Sequence, residues 1–200
     1  MGKTMSPSVS ITPGQIGKIQ EILGAALRKS GLQSEPTQQV VEHQGDALVA
    51  EMVAVVRKRV EAISGMIVRR VIVNRARTPQ EVIDATGRAQ FIDKNVLATM
   101  PQGEGEEVDV YFVPTKRFVL VNEVPAFLAQ YGLVPDPRAQ AAVNEADPAF
   151  ADEHPNGSPW GDGCCLAFHR WNNVRHVDCN RDGGDWYGDW FLSGVPASRK

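Results

Sequence analysis

The chain has 200 residues, of which 42% are hydrophobic and 22% charged, and it carries a formal net charge of −3. That composition is ordinary for a globular protein with a real core, and it excludes a disordered or low-complexity chain. No apolar run reaches the roughly 18 residues a membrane-spanning helix needs, so no membrane span is expected.

The opening "MGKTMSPSVS" has neither an apolar signal core nor a cleavage site. Three cysteines, Cys164, Cys165 and Cys179, are an odd set with two adjacent, which is not a disulfide framework. Reduced thiols and a cytoplasmic location are the expectation. Charge is uneven. Residues 1–100 hold 13 Lys/Arg and 9 Asp/Glu, a balance of +4, whereas residues 101–200 hold 8 and 15, a balance of −7.

Residues 1–65 read as a helical module. Ile16, Ile19, Ile22, Leu23, Ala26 and Leu27 recur at three- and four-residue spacing, with Thr12–Pro13 as a start and Gly31 as a stop. A second helical pattern carries Val40, Val41, Leu48, Met52, Val55, Val56 and Val60, with Gly45 a point where it can split and Gly65 its end. Residues 66–200 read as an α+β domain. "MIVRRVIVN" predicts a strand from Met66 to about Val73. Thr78, Pro79 and Gly87 bracket a short helix. "IDKNVLATMP" suggests a further helical turn, and "GEGEE" at Gly103–Glu107 a turn before a strand at Val108–Val113. A short helix ends at Gly132. "DPRAQAAVNEA" predicts another helix, followed by a long loop rich in Pro, Asp, Gly and Asn. "CCLAFHRW" and "VRHVDCNR" alternate around Asn172–Asn173, the signal of a two-residue hairpin, and "DWYGDWFLSGV" predicts a third strand.

Motifs for chemistry are sparse. Cys164, Cys165, His169, His176 and Cys179 fall within 16 residues, and thiolate and imidazole suit zinc. The spacing argues against it, because adjacent strand cysteines point to opposite faces. "DCNRDGGD" lacks the spacing and closing Glu of a calcium loop. No nucleophile elbow, phosphate loop or dinucleotide fingerprint is present. Asp152, His154, His169 and His176 supply the residue types of a metal-dependent hydrolase, and that is the alternative reading. The arginines between Arg57 and Arg88 supply phosphate-neutralising charge for a nucleic-acid accessory role. No aromatic stacking platform interleaves them, so nucleic acid is not the expected partner.

The tryptophans, Trp160, Trp171, Trp186 and Trp190, read as core. With a two-residue turn, Leu166, Phe168, Val177 and Cys179 share an inner face, while His169, His176, Asp178 and Asn180 share the outer one. From Asn172 to Trp190, 12 of 19 residues are Asn, Asp, Gly, His or Tyr. Turn chemistry covers three to six residues of such bias, and strands are depleted in Asn, Asp and Gly. Adaptable binding surfaces use these residues.

"RHVDCNRDGGDWYGDWFLSGV", through Arg175, Val177, Arg181, Asp185, Trp186, Trp190, Phe191, Gly194 and Val195, resembles the variable region of diversity-generating retroelement target proteins. The resemblance implies a C-type-lectin-like fold for this region and a non-enzymatic role. It further implies side chains scattered by misreading of template adenines. The implied ligand-binding positions are Asn172, His176, Asp178, Asn180, Asp182, Gly183, Gly184, Tyr187, Gly188 and Asp189, and His169 joins them as a candidate from the outer face of the hairpin. The expected ligand is a macromolecule, most simply a protein. The N-terminal helices would mediate homo-oligomerisation or attach the display domain to a partner. No cofactor and no metal are expected.

Overall fold

The computed structural model describes residues 11–181 and 186–197. The chain divides into two compact units, Ser8–Ser64 and Gly65–Lys200.

In the first unit, α1 (Pro13–Lys29) starts on a reciprocal cap. Gln15 N–H donates to Thr12 Oγ1 at 3.3 Å, and Thr12 N–H donates to Gln15 Oε1 at 2.8 Å. Such a cap satisfies two amides that the first helical turn leaves without partners. Gly31 ends the turn at φ +70°, a conformation that favours glycine. The second helix, α2, runs unbroken over the 31 residues Ser34–Ser64. Gly45 does not split it, since one helical glycine costs only about 1 kcal/mol against many good formers. Neither helix buries a residue, and Ile16, Ile22, Val49, Val53 and Val60 are exposed.

The second unit is α+β. Its strands are β1 (Ile67–Ile72), β2 (Ala89–Ile92), β3 (Glu107–Pro114), β4 (Leu133–Val134), β5 (Asn156–Trp160), β6 (Cys164–Trp171), β7 (Val174–Arg181) and β8 (Phe191–Pro196). They form one mixed eight-stranded sheet in the order β1-β3-β8-β5-β6-β7-β2, with β4 on β8. The β5–β8 and β7–β2 pairs are parallel and the others antiparallel.

Helices α3 (Pro79–Asp84), α4 (Lys94–Leu97), α6 (Pro137–Ala146) and α7 (Phe150–Glu153) cover one face. There Ile83, Val96, Leu97 and Ala141 pack on Leu166, Phe168, Val177 and Cys179. Further along, Ala139, Val143 and Phe150 pack on Ile67, Val110 and Phe112. Each large side chain buried this way contributes about 1.5–3 kcal/mol. The remaining helix, α5 (Val124–Ala129), packs on β4 and β8. Within the helix-covered layer, Gln140 and Asn144 donate to Asn156 Oδ1 at 2.8 and 3.2 Å, which satisfies amides that burial would otherwise penalise.

Three strand expectations change. The predicted loop after α6 contains α7 and β5. Asn156 and Gly157 are poor strand formers, but tertiary contacts select them, Asn156 for its amide bonds and Gly157 for its lack of a side chain. The strand predicted from Asp185 begins only at Phe191, because Trp190 N–H donates to Tyr187 C=O at 3.0 Å and closes a turn. The short β2 has no sequence counterpart, since its partner β7 lies more than 80 residues away.

Candidate ligand-binding site

The β6–β7 hairpin turns on Asn172 (φ +47°) and Asn173 (φ +63°), the left-handed pair that a two-residue hairpin needs. This turn fixes the register His169↔His176 and Phe168↔Val177. Leu166, Phe168, Val177 and Cys179 therefore face the helices, all fully buried. Burial pushes the Cys179 thiol up to about 12, with the neighbouring Cys165 and Cys164 adding to the shift. His169, His176, Asp178 and Asn180 share the opposite face.

That face is less open than its polarity suggests. His176 is only 7% exposed. The parallel strand β2 closes the edge beside β7, and Phe91 lies against the His176 ring at 5.3 Å between centroids. His169 stacks on His176 at 5.5 Å and pairs with Asp178, Nε2 to Oδ2, at 3.0 Å. Asn180 Oδ1 accepts from Cys165 Sγ at 3.5 Å. His176 Nδ1 and Asp178 Oδ1 are buried without a partner among the described residues.

A second group stands on the segment 186–190. Trp186 is anchored by a two-way backbone bridge to Val119 at 3.1 and 3.2 Å. Thr115 N–H and Oγ1 both donate to Trp190 C=O, at 2.9 and 3.2 Å. Between these anchors Tyr187, Gly188 and Asp189 are exposed, with the Tyr187 ring edge-on to Phe118 at 5.6 Å. Trp190 joins the two groups, its ring 5.8 Å from that of His169. Asn172 sits apart at the hairpin tip. Asp182, Gly183 and Gly184 lie outside the described residues.

The tryptophans divide rather than forming one core. Trp186 is 2% exposed, Trp190 is half-buried, and Trp171 is 63% exposed beside His176. Phe91, 60% exposed, and Val174 extend an apolar surface around the histidines. Sequence reasoning missed Phe91, whose place depends on the β2–β7 pairing, and placed Trp171 inside, whereas the hairpin register sets it on the face of His169.

The residues of the hydrolase alternative are divided by the sheet. Asp152 lies on the helix side, where Arg175 donates to it at 2.7 Å and Arg170 stands 3.5 Å away. The Arg175 hydrogen bond holds the Asp152 carboxyl below its ordinary range, against the opposing effect of burial. His154 packs between Phe150 and Phe191. His169 and His176 face the other way. Among the described residues, no three His, Cys, Asp or Glu side chains are grouped to hold a metal ion. The arginines are largely engaged: Arg70 with Asp109 at 2.9 Å, Arg75 with Asp136 at 2.7 Å, and Arg77 with Glu145 at 2.6 Å. Arg75 also donates to the carbonyls of Gln102, Glu104 and Gly105, which clamps the "GEGEE" turn.

Compared with models of known families, with curated proteins and with solved structures, the chain matches none.

Proposed function

We propose that this is a non-enzymatic binding protein whose ligand surface is formed by the outward face of β6–β7 and the segment 186–190. It would be of the kind diversified by a retroelement. The observation that carries the reading is the separation of two faces on one hairpin. Leu166, Phe168, Val177 and Cys179 are fixed in the core, while the facing set is polar and joined to exposed Tyr187 and Asp189. Exposed Trp171, Phe91 and Val174 beside the polar set favour a macromolecular ligand, because apolar patches ringed by polar groups are typical of protein contacts. The exposed aliphatic residues of α1 and α2 are assigned in this reading to self-association.

The burial of His176 narrows the displayed set. It supports the surface from beneath, and the replaceable positions are Asp178, Asn180, Tyr187 and Asp189. The test is to randomise those four positions together and measure thermal unfolding of the resulting proteins. Most variants are expected to fold with the parent's cooperativity. Loss of folding in most of them would show that these residues hold the structure rather than display it.

A further inference from the structure

A cleft of about 400 Å³ lies between β1, α3 and α6, on the helix-covered side and away from the hairpin surface. Its volume is within the range of small-molecule sites. Its apolar lining includes Val71, Val73, Val82 and Ala142, and its charged lining is Arg70, Arg77, Arg138 and Glu145. Arg70 is held by Asp109 and Arg77 by Glu145. Arg138 differs. It is 4% exposed, yet no carboxylate lies within ion-pair distance among the described residues. Nε donates to Pro101 C=O and Nη1 to Arg77 C=O, which fixes the guanidinium plane. No hydrogen bond engages Nη2 among the described residues, and that nitrogen is not among the sealed, partnerless atoms of the core.

Buried cations are normally paired, because an uncompensated charge inside a protein is costly. The acid that acts electrostatically on Arg138, Asp136, is committed to Arg75, so the local balance of Arg75, Arg138 and Asp136 is one positive charge in excess. Burial and the neighbouring Arg75 both disfavour the charged form of Arg138. The feature that would complete this arrangement is an anion in the adjoining cleft.

We propose that the cleft binds a small apolar monocarboxylate, its chain against Val71, Val73, Val82 and Ala142 and its carboxylate against Arg138. A single negative charge fits one rigid guanidinium. A phosphate would bring more charge than the apolar lining can solvate. At about 30 Å³ for each water-sized group, the cleft has room for roughly ten to thirteen non-hydrogen atoms.

The test uses the full-length protein and octanoate, titrated by calorimetry, with 1-octanol as the uncharged control. Octanoate is expected to bind saturably, and octanol about tenfold more weakly for want of the charge-assisted hydrogen bond. Ala146→Trp adds bulk at an exposed position of the lining and is expected to abolish binding without lowering Tm. Arg138→Gln is expected to reduce octanoate affinity to that of octanol. No saturable octanoate binding, equal affinity for octanol, or full binding by a folded Ala146→Trp variant would each overturn the proposal. Randomising the hairpin positions leaves this readout unchanged, so the two sites succeed or fail separately.

Discussion

The indole ring of Trp186 lies directly against the backbone of Gly157, so that a β-carbon at residue 157 would overlap the six-membered ring. Gly157 is therefore required for space rather than for backbone freedom. The contact seats one end of the segment 186–190 on β5, and Trp190 meets Trp186 edge-on at 5.1 Å. Gly157→Ala is expected to destabilise the protein by about 1–3 kcal/mol through overpacking. Trp186→Ala is expected to cost about 3–5 kcal/mol. In the Trp186→Ala background, Gly157→Ala is expected to be nearly neutral, because the clash has gone. Denaturant unfolding of the four proteins of this cycle measures the coupling.

Arg75 and Asp136 form a second such linkage, in which one ion pair serves both a helix and a turn. Asp136 Oδ1 accepts from Ala139 N–H at 3.0 Å and caps α6, while Arg75 clamps the turn before β3. Asp136→Ala is expected to cost about 3–5 kcal/mol for the stranded buried guanidinium, with about 1 kcal/mol more for the lost cap. Arg75→Leu is expected to be comparably destabilising and to increase amide exchange at Glu104 and Gly105.

The Asp152–Arg175 pair sets an acid-side pH dependence. The carboxyl is depressed in the folded protein by the Arg175 hydrogen bond. A depressed carboxyl contributes fully above its unfolded value of about 3.9 and loses that contribution as pH falls through the lower folded value. Both arginines are well exposed, so the contribution is limited to about 1 kcal/mol or less. Asp152→Asn is expected to be less stable than the parent at pH 7, with the difference shrinking below about pH 4. Urea midpoints across that range are the measurement.

The displayed positions do not all tolerate change alike. Tyr187 and Asp189 are exposed and are expected to accept most residues within about 0.5 kcal/mol. Asn172 holds φ +47°, so Asn172→Val is expected to cost about 1–2 kcal/mol while Asn172→Gly is nearly neutral. Thermal unfolding of single variants separates the two classes. If Asn172→Val unfolds at the parent's temperature, the hairpin turn is not the one described.

What could be read from the sequence was local. Thr78, Pro79 and Glu81 build a capping box within four residues, and the helix they announce is present as α3. The Asn172–Asn173 hairpin and the inner face of Leu166, Phe168, Val177 and Cys179 follow from alternation around one turn. What could not be read was non-local. The pairing of β2 with β7 buries His176 and leaves Phe91 beside it, yet four residues of strand carry no periodic signal. The burial of Trp186 depends on Gly157 and Val119, both distant in the chain. Asp152 and His169 looked compatible as one catalytic set because sequence spacing does not say which face of a sheet a residue reaches.

The central claim is that side chains between His169 and Asp189 are replaced by a copying process while the frame beneath them is kept. The most direct measurement is the nucleotide sequence of the locus. Expected is a reverse-transcriptase gene, with a near-copy of the region encoding 169–190 whose differences fall at template adenines and cluster in the codons for Asp178, Asn180, Tyr187 and Asp189. Codons for Phe168, Val177 and Trp186 are expected to be identical in both copies. A locus with no such repeat and no reverse transcriptase, or a repeat that differs at the core codons as often as at the surface ones, would contradict it.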